Sequence, residues 1–173
     1  MTSGRFVRLA AVATAVVSST FLMLAPAGCD ESQSVACTDN CPAVEGAYPL
    51  TFLGDAGLSA ECVNLNVQPL ADGEVLNIQR TGGNALTASL AGVALTGQVY
   101  ATGDLTLIGT PLPSGDGGVS ATYTLTATHT GGAEDGGLGQ SNLTGNFSGQ
   151  FSRVQGTSAQ RCNVARPFTA TRQ

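Results

Sequence analysis

ATYTLTATHT, residues 121–130, puts threonine at every even position and Ala121, Tyr123, Leu125, Ala127 and His129 at the odd ones. A period of two is the mark of a β-strand with one dry face and one wet face. Threonine suits the wet face because its branched Cβ fits the pleat and its hydroxyl meets water or a neighbouring strand. His129 is the chain's single histidine, and it falls in phase with the apolar face.

The same alternation runs outward in both directions. It predicts strands at YPLTF (Tyr48, Leu50, Phe52), CVNLNVQ (Val63, Leu65, Val67 against Asn64, Asn66, Gln68) and VLNIQR (Leu76, Ile78). The stretch 84–109 continues with Leu86, Ala88 and Leu90, then Val93, Leu95 and Val99, then Leu105 and Leu107. Gly83-Asn84, Ala91-Gly92 and Gly103-Asp104 punctuate it and read as hairpin turns. In SNLTGNFSGQFSR, Leu143, Phe147 and Phe151 share a face with Gly145 and Gly149, and inward glycines mark a bend or the close approach of another backbone. CNVARPFTAT aligns Cys162, Val164, Phe168 and Ala170, and Pro167 marks an edge or a bulge.

Eight or nine strands with short connections, and no helix after residue 30, make an all-β antiparallel meander. Closing it into a small barrel removes the exposed edges. A β-sandwich is the second choice. In outline the pattern resembles the small barrels of the lipocalin and avidin type, a likeness of architecture that implies no activity. The apolar faces are too rich in Ala and Gly for the lipid-facing band of an outer-membrane barrel.

Composition agrees. Only 11% of residues are charged while 42% are apolar, so the chain folds rather than staying disordered. The formal net charge of -5 argues against nucleic acid as a partner. Beyond the first 28 residues the arginines are Arg80, Arg153, Arg161, Arg166 and Arg172, read here as solvated strand ends.

Residues 1–28 have the layout of an export signal: a basic start (MTSGRFVR), an apolar stretch (LAAVATAVVSSTFLMLA) and small residues before Cys29. LAPAGC, residues 24–29, resembles a bacterial lipobox. That resemblance implies cleavage before Cys29, acylation of Cys29 and a lipid anchor on a bacterial membrane, the outer membrane or cell surface favoured. More than one acyl chain is enough for stable residence in a bilayer. Two other readings of the same residues stay open, an A-x-A cleavage site at Ala25-Pro26-Ala27 and a retained transmembrane helix. Residues 29–44 then form a lipidated N-terminus and tether, and 45–173 a single all-β domain.

The cysteine count bears on the choice. Five cysteines are present, and lipidating Cys29 leaves Cys37, Cys41, Cys62 and Cys162, enough for two disulfides in an oxidising compartment. Three pairings are open, of which Cys37 with Cys41 and Cys62 with Cys162 is preferred. The spacing of Cys37 and Cys41, with one distant histidine, does not suit zinc. Asp116, Glu134 and Asp135 lie in glycine-rich loops without the ordered spacing of a calcium site. No metal and no cofactor is expected.

Two roles fit these residues. One is a non-enzymatic envelope lipoprotein that contacts another envelope protein. The other is a binder of a small apolar ligand, in a barrel cavity lined by Tyr48, Phe52, Tyr123, Phe147 and Phe151. A hydrolase using His129 stands third, because no G-x-S-x-G accompanies the histidine.

Overall fold

The computed structural model describes residues 35–54, 57–112, 118–131 and 140–173. In chain order the elements are β1 (Gly46–Phe52), α1 (Ala60–Asn64), β2 (Val75–Gly82), β3 (Ala85–Leu90), β4 (Val93–Val99), β5 (Asp104–Gly109), β6 (Ser120–Thr130), β7 (Asn142–Gln155) and β8 (Ser158–Thr171). Each strand pairs antiparallel with the next, and β8 returns to β1, so one eight-stranded sheet closes on itself. The two-sheet sandwich is thereby set aside. The ring is uneven: β7 and β8 pair from Asn142–Thr171 to Gln155–Ser158, whereas β1 meets β8 only from Leu50–Ala170 to Phe52–Phe168.

Turn chemistry produces the meander. Ala91 and Gly92 both have positive φ, 49° and 77°, the backbone that matches a tight hairpin to the twist of β3 and β4. Gly145 opposes Ala127 in the β6–β7 ladder, and a Cβ on it would lie 2.1 Å from the Thr126 carbonyl oxygen. The inward glycine therefore marks a close approach of backbone, as its position in the alternation predicts. The Pro167 carbonyl accepts from the Leu53 N–H, where β1 ends, so the N–H that proline lacks is not missed by a full ladder.

The alternation becomes a single core. Tyr48, Leu50, Leu76, Leu86, Leu90, Leu95, Leu105, Leu107, Leu125, Leu143 and Phe168 all point inward and are fully buried. Their partners on the odd face of β6 are Ala127 and His129, buried as the phase of the strand requires.

One strand expected from the sequence is a helix. Residues 60–64 form α1, capped by Ser59, whose Oγ accepts from the Cys62 N–H at 3.4 Å. Cys62 and Leu65, three apart, face inward, while Val63 is 58% exposed, a helical and not an alternating pattern. Asn66 then leaves the helix with φ 54°. The expectation of no helix after residue 30 is corrected with it.

α1 covers the part of β8 that β1 does not reach. Cys62, Leu65, Val67, Cys162 and Val164 form a second, smaller core there, with Phe151 packed against it. Upstream of β1 the chain is already packed: Ala36 bridges to Tyr100, Cys37 is buried and Val44 is part of the main core.

Candidate functional site

The closed sheet has two ends. Val35 and Ala36 join it beside Tyr100 and Ala101, at the end that also holds the start of β1 and the C-terminus. The opposite end holds α1, the β3–β4 turn, the β5–β6 connection and the β7–β8 turn.

At the first end four inward side chains come together by register. Arg172 follows Ala170 on β8, beside Tyr48 of β1, and its N–H donates to the Ser141 carbonyl. His129 faces Leu143 across the β6–β7 ladder, one step away from Ser141. The Tyr48 hydroxyl, Ser141 Oγ and His129 Nε2 are buried without a hydrogen-bond partner. Burial lowers the His129 pKa below its usual value; the Arg172 charge adds to this and Glu45 opposes it, so the ring is held neutral. Burial likewise raises the Tyr48 phenol. Burial pushes Glu45 up, but its hydrogen bond and ion pair with Arg80, with help from Arg172, leave it below the usual carboxylate range.

This cluster caps the apolar interior with polar groups. A catalytic histidine needs a nucleophile within hydrogen-bond reach and an orienting carboxylate. Neither Ser141 Oγ nor His129 Nε2 bonds to the other, and both atoms are buried.

The five residues expected to line a cavity are spread along the interior, and two of them, Tyr123 and Phe151, border a cleft at the α1 end. Tyr48 lies in the polar end. Phe52, Phe147, Tyr123 and Phe151 instead form an edge-to-face chain that continues to Phe168, with ring centroids 5.2 Å apart at Tyr123–Phe147 and 6.1 to 6.3 Å elsewhere. Such packing runs a line of rings along the interior from Phe168 to Phe151.

Arg166 is the residue that sequence reading misplaced. It is 8% exposed, its guanidinium stacks 4.1 Å over the Phe52 ring, and its Nη1 donates to the Leu70 carbonyl at 2.7 Å. The signal was available, since 166 has the same parity as Cys162, Val164, Phe168 and Ala170. Arg153 is half-buried rather than a free strand end, and its Nη2 donates to Gln160 Oε1 at 2.8 Å.

On the wet face, the threonine comb has a local use. Thr128 Oγ1 and Thr102 Oγ1 donate to the two oxygens of Asp104 at 2.6 and 2.7 Å, which lowers the Asp104 pKa.

Cys37 is bonded to Cys41, and Cys62 to Cys162. Cys29, the export signal, Asp116, Glu134 and Asp135 lie outside the described residues. Among the described residues no group of three His, Cys, Asp or Glu side chains is placed to hold a metal ion.

Fold and geometry together define an eight-stranded antiparallel sheet, closed on itself and packed with side chains. Comparison with protein-family models, with curated proteins and with solved structures found no match.

Proposed function

We propose that the protein is an exported lipoprotein of a bacterial envelope, tethered to the membrane through an acylated Cys29, and that it acts by contact rather than by catalysis. The observation that carries this reading is the state of the cysteines. Four of the five are bonded in pairs within the domain, which leaves Cys29 as the one available for acylation. Paired cysteines also accord with an oxidising compartment outside the cytoplasm.

One further feature supports it. The ring interior is occupied by the buried aliphatic core and the aromatic chain, which favours a structural or interaction role over a ligand held at the centre of the barrel.

The test is replacement of Cys29 by Ala in the native host. The unaltered protein is expected in the membrane fraction and to resist extraction at high salt, and the variant to lose that tight association. A variant that remains as firmly bound in the membrane fraction contradicts the lipid anchor.

A further inference from the structure

At the end away from the tether the structure holds a cleft of about 450 Å³, within the range of small-molecule sites. Three pieces of chain build it. The exit from α1 supplies Leu65 and Val67, the flanks of the β5–β6 connection supply Leu112 and Val119, and the ends of β6 and β7 supply Tyr123, Phe151 and Arg153. Tyr123 and Phe151 meet edge to face, and both stay half-buried, so their rings end the aromatic chain and form a wall of the cleft at once. Leu112 is 91% exposed at the rim, where a large apolar side chain gains nothing from water.

Arg153 supplies the charge. Its Nη2 reaches Gln160 Oε1 and, at 3.4 Å, the Asn64 carbonyl at the end of α1. Those two contacts fix the guanidinium through one nitrogen. Nε is buried without a partner, and among the described residues no carboxylate pairs with Arg153. A guanidinium has five donors in a planar fork suited to a carboxylate. The cleft thus combines apolar and aromatic walls, with polar Asn66 and Gln68 beside them, and an oriented cation that has no counter-ion among the described residues.

We infer that this cleft binds a small amphipathic monoanion, its apolar body against Tyr123, Phe151 and Val67 and its carboxylate on Arg153. A neutral molecule of the same shape leaves the Arg153 donors unsatisfied, and a cation is repelled, so the charge makes the site selective. This site stands apart from the lipid anchor: an unlipidated protein would still bind, and an anchored one without ligand would leave the anchor untouched.

Residues 33–173 form a compact unit with both disulfides, so this stretch is tested as a soluble chain. Hexanoate, hexan-1-ol and hexylammonium are titrated separately against the ¹⁵N-labelled protein and followed by NMR. Hexanoate is expected to bind at least about tenfold more tightly than hexan-1-ol, the scale of a hydrogen bond to a charged group. The shifts should centre on Val67, Ala121, Tyr123, Phe151 and the Arg153 Nε–H. Arg153→Gln should remove the preference for hexanoate. Leu112→Asp, at a rim position that carries no fold, should weaken hexanoate more than hexan-1-ol. The inference is overturned if the three probes bind alike, if none binds, or if the shifts fall away from the cleft. Should Arg153→Gln fail to fold, the probe series on the unaltered protein and Leu112→Asp still decide.

Discussion

Replacing Gly145 by alanine should destabilise the domain, and replacing Gly149 should do so far less. A Cβ on Gly145 would sit 2.1 Å from the Thr126 carbonyl oxygen and 2.7 Å from Ala127 Cα and Cβ. Two of these three are backbone atoms of the paired strand, so relief requires β6 and β7 to separate over several ladder pairs. A Cβ on Gly149 would meet the Phe151 ring at 2.8 and 3.0 Å and Phe147 at 3.4 Å, and a ring at the end of the aromatic chain can turn. Overpacking costs about 1–3 kcal/mol, against which alanine recovers about 0.4–1 kcal/mol by restricting the unfolded chain. Taking the upper range for backbone and the lower for a mobile ring, Gly145→Ala loses about 2 kcal/mol and Gly149→Ala less than about 1 kcal/mol. In a domain of this size the first corresponds to a fall in Tm of about 4–8 °C. The chain has no tryptophan, so far-UV circular dichroism during urea unfolding is the suitable readout. A Gly145→Ala protein as stable as the unaltered one, or a Gly149→Ala protein that loses more, refutes the close approach of β6 and β7.

Further predictions concern the disulfides, the core and the buried histidine. Removing Cys62–Cys162, which spans a sequence separation of 100, should cost about 4.7 kcal/mol in the chain-entropy model, and removing Cys37–Cys41, with a separation of 4, about 2 kcal/mol. Paired Cys→Ser variants unfolded in urea measure both, and equal losses would count against the role of the long-range staple. Phe52→Ala should cost about 3–5 kcal/mol, because Phe52 touches Phe147, Phe168 and the Arg166 guanidinium together. Because the folded His129 pKa is depressed, its contribution is fully present above the unfolded value near 6.5 and is lost as pH falls through the lower folded value. Unfolding free energy should therefore fall as the pH is taken down from 6.5, and His129→Phe should flatten that slope; an unchanged slope refutes a buried neutral ring.

Much of this architecture is legible because the period-two signal is strong where one face is dry. On β6 the odd residues Ala121, Leu125, Ala127 and His129 are all buried and Thr126, Thr128 and Thr130 all exposed, so phase alone placed every one of them. The misread segment shows the limit of that signal. In CVNLNVQ the apolar residues alternate, yet Ser59 caps a helix and Asn66 ends it, and over so few residues local capping outweighs periodicity. A ligand cavity is a different question. Alternation says which side chains point inward, but whether they leave a space depends on how rings interlock across strands, and Phe52, Phe147 and Tyr123 interlock. At Arg166 charge and phase point opposite ways, and phase wins because the long stem and the Phe52 face make an inward position tenable.

The most direct test of the account is the intact mass of the protein extracted from its native membrane and alkylated without reduction. The expected chain begins at Cys29, carries acyl mass and takes up no alkylating agent, because the other four cysteines are paired. A chain that begins at Gly28, without acyl mass and with one alkylated thiol, would contradict the anchor and make this a soluble exported domain.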